Sequence, residues 1–213
     1  SIKVSCLVSQ ISTWDAEGTV ERALERLRPI YRVANGTASD ASSPSSNTGD
    51  ANADAGQPGG GAANVNRGDI KKKFVNLDME EYRDLDLTIE LFTRLLSEPE
   101  FHDLEAGIVL QAYLPDAVPA LERLIAFAKE RKANGGAGIK VRLVKGANLA
   151  MERVEAELHD WKQAPYTSKE DVDANYLRFI ERATRPDAME VCRLGVASHN
   201  LYDVAMAHLL AEK

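Results

Sequence analysis

Polar side chains stand at the end of each of five apolar runs in the sequence. They are Lys3 and Ser5, then Asp78, then Gln111 and Tyr113, then Arg142 and Lys145 with Gly146 and Ala147, and last Ser198, His199 and Asn200. Cations in a low-dielectric site stabilise negative charge, and carboxylate, amide and imidazole groups orient ligands or move protons. One such residue would mean little, but five runs that end in this way predict one polar site.

Arg142 and Lys145 raise a question of charge, because the run IKVRLVKG (139–146) that carries them is otherwise apolar. An isolated charge in an apolar interior is costly, so each cation needs an anionic partner. The partner is either an acidic side chain such as Asp78 or a bound anion. Gly146 would let the backbone approach such a ligand closely, or would serve only the turn into the next helix.

Several candidates also have purely structural interpretations. Asp78 lies three residues before Glu81 and could cap the next helix. Gln111 could bond to the backbone, and His199 with Asn200 could form a helix entry. Three aromatic residues are predicted to pack in the core: Trp161, Tyr166 and Phe179.

Five β-rich runs must position these residues. They are SIKVS (1–5), KFVNL (73–77), GIVLQAY (107–113), IKVRLVKG (139–146) and RLGVAS (193–198). A helical pattern follows each run, and alternation of this kind predicts parallel βαβ units. Right-handed crossovers then leave an open doubly wound sheet or a (β/α)8 barrel.

The helical patterns rest on apolar residues spaced by three and four. After the second run these are Tyr82, Leu85, Ile89, Phe92 and Leu96, and after the third Leu121, Leu124, Ile125 and Ala128, with a stop at Asn134-Gly135-Gly136. After the fourth run they are Ala150, Val154, Leu158 and Trp161. A second helix then follows, for which Thr167 and Glu170 are predicted to form a capping box.

The composition excludes several classes of protein. A net charge of −7 on 213 residues argues against a nucleic-acid surface. No apolar run approaches the roughly 20 residues of a membrane span. The two cysteines are isolated and the four histidines form no i, i+4 pair, so we expect a cytoplasmic protein without a metal. The chain opens inside a strand and stops inside a helix, and we therefore expect it to be a piece of a longer protein.

Residues 36–64 contain no Val, Leu, Ile, Met or aromatic residue. Such a segment cannot bury enough apolar surface to offset its ordering entropy, so it is predicted to be a disordered insert. It follows the first helix and precedes the second strand. In a barrel this αβ connection lies opposite the active site.

The segments FVNLDMEEYRDLDLTIELF, GIVLQAYLPDA, IKVRLVKGANLAMERVEAE, YTSKEDVDANY and VASHN resemble the flavin-dependent proline dehydrogenases, in particular those of bifunctional bacterial proline-utilisation enzymes. RLVKGA with SIK, LQAY and SHN in the same order is a specific combination. The resemblance covers nearly the whole chain except 36–64. It implies an incomplete (β/α)8 TIM-type barrel, about five of eight βα units over residues 1–213, that binds FAD at the carboxyl ends of its strands.

The resemblance also implies residue roles. Lys3 matches the active-site lysine near the substrate, and Asp78 matches an aspartate close to flavin and substrate. Gln111 matches the glutamine that binds the flavin ring, and Arg142 the arginine near flavin N5. Further cofactor contacts are implied for Val144, Lys145, Gly146 and Ala147, for Thr167 and Lys169, and for Ser198, His199 and Asn200. The anion that Arg142 and Lys145 require would then be the cofactor.

The implied reaction is oxidation of L-proline to Δ1-pyrroline-5-carboxylate, with hydride transfer to FAD N5. Electrons would pass on to membrane quinone, which would make the protein cytoplasmic or peripheral at the membrane. The resemblance leaves open whether an aldehyde dehydrogenase domain follows. Two departures are Asn148, where some members have an aromatic residue, and the lack of any counterpart to the arginine pair that clamps the proline carboxylate.

Two other functions remain open at this point. A Schiff-base aldolase on the same fold would use Lys145 or Lys3 as a desolvated nucleophile. A catalytically dead remnant would have no activity.

Overall fold

Five short strands pair side by side in the order in which they occur along the chain. The structure is a computed structural model that describes residues 1–8, 14–37 and 72–212. The strands are β1 (Ile2–Lys3), β2 (Val75–Asp78), β3 (Ala106–Gln111), β4 (Ile139–Val144) and β5 (Cys192–Val196). Every neighbouring pair is parallel, so the carboxyl ends of all five strands lie at one edge. The predicted parallel α/β architecture is confirmed.

A row of helices covers one face of this sheet. The helices are α1 (Ala16–Asn35), α2 (Leu85–Ser97), α3 (Ala117–Ala133), α4 (Leu149–Leu158), α5 (Lys169–Ala183), α6 (Pro186–Met189) and α7 (Leu201–Ala211). α1 packs on α2, α2 on α3, α3 on α5, and α5 on α7. None of the helices in the described ranges is long and apolar enough to cross a membrane.

The apolar periodicities of α2 and α3 correspond to their buried sides. Leu85, Ile89, Phe92 and Leu96 are buried on α2, and all four apolar residues predicted for α3 are buried. Tyr82 is the exception, because it lies in a 3-10 turn (Tyr82–Asp84) that precedes α2. Gly36 caps the carboxyl end of α1 at a φ of 74°, in the left-handed region.

The stripe predicted for α4 does not pack in the core. Val154, Leu158 and Trp161 are exposed, and Ala156 is the one residue of α4 that the structure buries within the described ranges. Trp161 stacks on His159 instead, with ring centroids 4.4 Å apart. A core role for Trp161 is therefore wrong, whereas Phe179 on α5 is fully buried as predicted.

The N-cap of α5 lies one residue later than predicted. Ser168, not Thr167, is the N-cap, and its Oγ accepts a hydrogen bond of 3.0 Å from the backbone N–H of Asp171. The hydroxyl directly before the first helical residue has the shorter reach to the orphan N–H groups. Glu170 therefore lies in the first turn without closing the box with Thr167.

Arg131 on α3 secures the amino-terminal edge of the sheet. The residue is 5% exposed, and its guanidinium donates to the carbonyl oxygens of five residues: Leu96, Phe101, His102, Leu104 and Ala137. These carbonyls belong to the end of α2 and to the segments that lead into β3 and β4. One side chain thus holds together two βα units at the edge opposite the candidate site.

The predicted disordered insert, residues 36–64, lies outside the described residues from position 38 onward. Gly36 and Thr37 belong to the end of α1, where both the Gly36 N–H and the Thr37 N–H donate to carbonyls of its last turn.

Candidate functional site

The sheet face opposite the helices carries the polar strand residues. Side chains alternate between faces along a strand. Ile139, Val141 and Leu143 are fully buried while Arg142 is exposed, so Arg142 lies on the open face. Register extends this face across the sheet: Lys140 pairs with Gly107 and Gly107 with Asn76, and Lys3 pairs with Asp78. Lys3, Asp78 and Arg142 therefore share one face.

Arg142 has no counterion on this face. Within the described residues its side chain makes no hydrogen bond and no ion pair, although its backbone belongs to the sheet. Its register neighbours are Val109 on one side and Gly195 on the other, so neither offers it a polar group. The cation is left available to a bound anion.

Lys145, by contrast, has acidic partners inside the protein. Its Nζ lies 2.5 Å from an oxygen of Asp173 and 3.1 Å from one of Asp203, and 5.2 Å from the centroid of the Tyr176 ring. Burial tends to lower the pKa of Lys145, but the hydrogen bonds to these two carboxylates outweigh it and raise the pKa. The expectation that a ligand balances this charge is corrected, because two side chains do so.

A second ion pair joins β1 to the segment after β2. Lys3 Nζ lies 3.0 Å from Glu80 Oε1, and Ser5 Oγ donates to the other carboxylate oxygen. The hydrogen bond to Glu80 raises the pKa of Lys3. Burial alone would raise the pKa of Glu80, but the bonds from Ser5 and Lys3 lower it. The pair is thus an ammonium and a carboxylate at neutral pH.

Gln111 bonds to the backbone on both sides of its amide. Its Nε2 donates to the carbonyl of Glu80 at 2.9 Å, and its Oε1 accepts from the Ala147 N–H at 3.3 Å. The residue is 2% exposed. The interpretation that Gln111 bonds to the backbone thus agrees with its contacts. Its amide connects the segment after β2 to the turn after β4.

Asp78 does not cap a helix. It is the last residue of β2, and its Oδ1 accepts a hydrogen bond of 2.8 Å from Asn76 Nδ2. The 3-10 turn that follows is entered at Glu81, and no side chain caps it. The helix-cap interpretation of Asp78 is therefore wrong, and its carboxylate lies at the strand end beside Lys3.

Gly146 is required by contacts within the protein. Its φ is 142°, which side chains rarely adopt, and a Cβ built there would lie 2.5 Å from the ring of Tyr113. The backbone of Tyr113 also binds the turn after β4, because its N–H donates to the Lys145 carbonyl at 2.8 Å. The neighbouring Val144 carbonyl accepts from the Ala112 N–H, also at 2.8 Å. The absent side chain at 146 thus makes room for Tyr113.

The remaining candidates flank the carboxyl ends of β4 and β5. Thr167 is exposed just before α5, and Lys169 pairs with Asp173, which also binds Lys145. Ser198 donates to Asp203 at 2.8 Å. Asn200 N-caps α7, because its Oδ1 accepts from the Tyr202 N–H at 3.0 Å, and His199 is exposed beside it. The helix-entry interpretation of Asn200 is confirmed.

Three acidic residues were missed by the sequence reasoning. Glu80, Asp173 and Asp203 are the counterions of the strand-end lysines, and they lie 77, 28 and 58 residues away from them along the chain. Only Glu80 carries a local signal, since it follows the end of β2 by two residues. No group of three His, Cys, Asp or Glu side chains that could hold a metal occurs in the part of the chain that the structure describes.

A parallel five-stranded sheet with helices on one face and polar side chains at the carboxyl ends of its strands makes the described part of the chain an α/β structure. Residues 63–213 match the family model described as proline dehydrogenase. This match covers more than half of the chain, which therefore belongs to the proline dehydrogenase family.

The chain is also similar to solved and curated proteins named PutA. The structure of proline utilization A (PutA) from Corynebacterium freiburgense is 49% identical, with a TM-score of 0.81, and that of PutA from Bdellovibrio bacteriovorus inactivated by N-propargylglycine is 32% identical, with a TM-score of 0.77. Each match covers 99% of this chain and 18% of the other. The bifunctional protein PutA of Escherichia coli (strain K12) is 28% identical over 139 residues, which are 64% of this chain and 10% of that protein. The chain thus spans about a tenth of the curated relatives.

Proposed function

We propose that the protein to which this chain belongs oxidises L-proline to Δ1-pyrroline-5-carboxylate with FAD as the hydride acceptor. The observation that carries the proposal is the family match over residues 63–213, a range that includes Asp78, Gln111 and Arg142. The 49% identity with the PutA of C. freiburgense supports it further.

The proposed architecture is a (β/α)8 barrel, of which residues 1–213 form about five βα units and 36–64 an insert. Five parallel strands in chain order, with polar groups at their carboxyl ends, support this arrangement. The remaining strands and a clamp for the proline carboxylate would come from other parts of the protein. The share of 18% that the chain covers in its solved relatives leaves room for them.

Among the residues at the strand ends, Arg142 is the best candidate for direct contact with a flavin. FAD, when bound, supplies an acceptor for the hydride on the carbon beside the proline nitrogen. Arg142, which has no counterion in the described residues, would stabilise the negative charge that hydride transfer creates. The turn of Val144–Ala147 and the segments at Thr167–Lys169 and Ser198–Asn200 would flank the rest of the cofactor. Gln111 and Lys145 would act by fixing that turn, since their polar groups already bond within the protein.

Lys3 and Arg142 also bear on the substrate. Proline must present a neutral amine for hydride removal. Nearby cations disfavour a further positive charge, so the ammonium of Lys3 and the guanidinium of Arg142 would lower the pKa of a bound proline amine. The carboxylate of Asp78, in register with Lys3, would orient the substrate at the same strand ends.

The aldolase alternative loses support. A Schiff-base lysine is activated by a lowered pKa. The pKa of Lys3 is raised by its hydrogen bond to Glu80, and the pKa of Lys145 is raised by Asp173 and Asp203 despite burial. Both amines are therefore held as ammonium ions, which are not nucleophiles.

Further parts of the proposal concern the setting of the enzyme. We propose membrane quinone as the final electron acceptor and a cytoplasmic protein that is peripheral at the membrane, as the family resemblance implies. The curated relatives are bifunctional, which supports an aldehyde dehydrogenase domain after the barrel. A soluble quinone analogue should accordingly restore the oxidised protein after proline is added.

The test uses the full-length protein that contains this chain. It should be yellow when purified, and anaerobic proline should bleach the flavin absorbance. N-propargylglycine, which inactivates the PutA of B. bacteriovorus, should inactivate it. A colourless protein that borohydride links to a carbonyl substrate would instead establish the aldolase, and a colourless protein without either activity would establish the remnant.

A further inference from the structure

Glu80 lies where three connections between strands and helices meet. Its carboxylate accepts hydrogen bonds from Lys3 and Ser5, which belong to β1 and the turn after it. Its carbonyl accepts from Gln111 at the end of β3 and from Asn148 after β4, at 2.9 and 2.6 Å. Four side chains from three other parts of the sheet thus bind this one residue.

The backbone bonds give the carboxylate a fixed place. An exposed ion pair is usually weak, because two long side chains must lose freedom to form it and water screens the charges. The Lys3 side chain is 54% exposed, but that of Glu80 is only 22% exposed. Gln111 and Asn148 hold the main chain of Glu80, and Ser5 holds its second oxygen. Most of the conformational freedom of Glu80 is therefore already lost before Lys3 binds to it.

We propose that Glu80 is a positioning residue that fixes the Lys3 ammonium at the carboxyl ends of β1 and β2, and that it acts on proline oxidation through Lys3. The inference rests on the proposed function for the part that Lys3 plays. Besides Glu80, the charged or titratable groups that face Lys3 are Cys6 and Asp78. Neither of them bonds to the amine.

Asn148 joins this arrangement at the position where some family members have an aromatic residue. Its Nδ2 donates a hydrogen bond to the Glu80 carbonyl, which ties the turn after β4 to the segment after β2. The departure from the family pattern is therefore used in this chain to hold the residue that binds Lys3.

The first experiment measures Lys3 directly and needs no activity. Competitive labelling with acetic anhydride, followed by peptide mass spectrometry, compares Lys3 in the substrate-free full-length wild type, Glu80→Gln and Glu81→Gln. At pH 9, Lys3 should label about two- to fivefold faster in Glu80→Gln, the usual scale of a partly exposed ion pair. Glu81→Gln, whose native carboxylate pairs with Arg83, should match wild type. Equal labelling in all three proteins overturns the proposal.

The second experiment asks whether Glu80 acts through Lys3. Glu80→Gln and Lys3→Met should each lower kcat/KM for proline, and the double variant should match Lys3→Met within about twofold, because residues that act as one unit are not additive. Losses that multiply, or a Glu80→Gln variant with wild-type kcat/KM, overturn the proposal. A wild-type protein that oxidises no proline refutes the proposed function instead, and the labelling result still decides whether Glu80 fixes Lys3.

Discussion

Replacing Arg131 with methionine should lower the free energy of unfolding, because it removes contacts at the amino-terminal edge of the sheet. Methionine keeps much of the apolar stem but removes all five N–H···O contacts. The carbonyls of Phe101 and His102 keep a second partner, since they also accept from the N–H groups of Leu104 and Ala137. The carbonyls of residues 96, 104 and 137 depend on Arg131 within the described part of the chain.

The cost follows from those three carbonyls. A buried polar group left unsatisfied costs about 1–3 kcal/mol. Burial lowers the pKa of Arg131, which means that the fold carries a desolvation cost for this cation, and the substitution relieves it. The expected net loss is about 3–5 kcal/mol, because the relieved desolvation cost offsets part of the penalty for the three carbonyls. At about 2–4 °C per kcal/mol for a domain of 150–250 residues, this corresponds to a decrease of about 6–20 °C in the melting temperature.

Calorimetry of the full-length protein measures this decrease in the unfolding transition of the domain that contains this sheet. Lys132→Met is the matched control, because it removes an exposed cation from the next position of the same helix and should leave the melting temperature within about 2 °C. An Arg131→Met protein that melts together with that control would refute the view that this guanidinium holds the two βα units together.

Two more predictions concern the candidate site and its surroundings. Gly146→Ala should lower flavin retention and activity at least tenfold, because the added Cβ would meet the Tyr113 ring and the φ of residue 146 is unfavourable for a side chain. The ratio of bound flavin to protein measures this, and full retention of flavin would contradict the prediction. Burial, followed by the charge of Glu81, raises the pKa of Asp84 to about 6, so the stability that its protonated form contributes is fully present below about pH 4 and is lost as the pH rises through 6. Asp84→Asn should therefore raise the free energy of unfolding by up to about 3 kcal/mol at pH 8 and leave it unchanged near pH 4. Urea unfolding at both pH values measures this, and an equal effect of the substitution at pH 4 and pH 8 would contradict the prediction.

The architecture could be predicted because its signals are local. The spacing of Ile89, Phe92 and Leu96 is confined to one helix, and the burial of that face follows from the periodicity alone. The same holds for the alternation within β4, where Arg142 faces away from Val141. Parallel order then follows, because helices between strands force crossover connections.

The contacts of the site could not be predicted, because they join residues far apart along the chain. Lys145 is neutralised by Asp173 and Asp203, which belong to two later helices, and no spacing rule connects them. The exposed stripe of α4 failed for a related reason. A periodicity shows that a helix has an apolar side but not that another element covers it, and Leu158 is exposed.

The central claim is that the open sheet face holds a flavin that proline reduces, with Arg142 at its negative charge. The most direct test is stopped-flow reduction of the bound flavin by anaerobic proline in the full-length wild type and in Arg142→Met. Arg193→Met is the control, because Arg193 is a cation on the neighbouring strand that pairs with Glu105. The account predicts reduction about a hundredfold slower in Arg142→Met and unchanged in Arg193→Met, since one lost donor or cation in such a site is worth about 3 kcal/mol. Equal rates in all three proteins would contradict the assignment of Arg142 to the flavin.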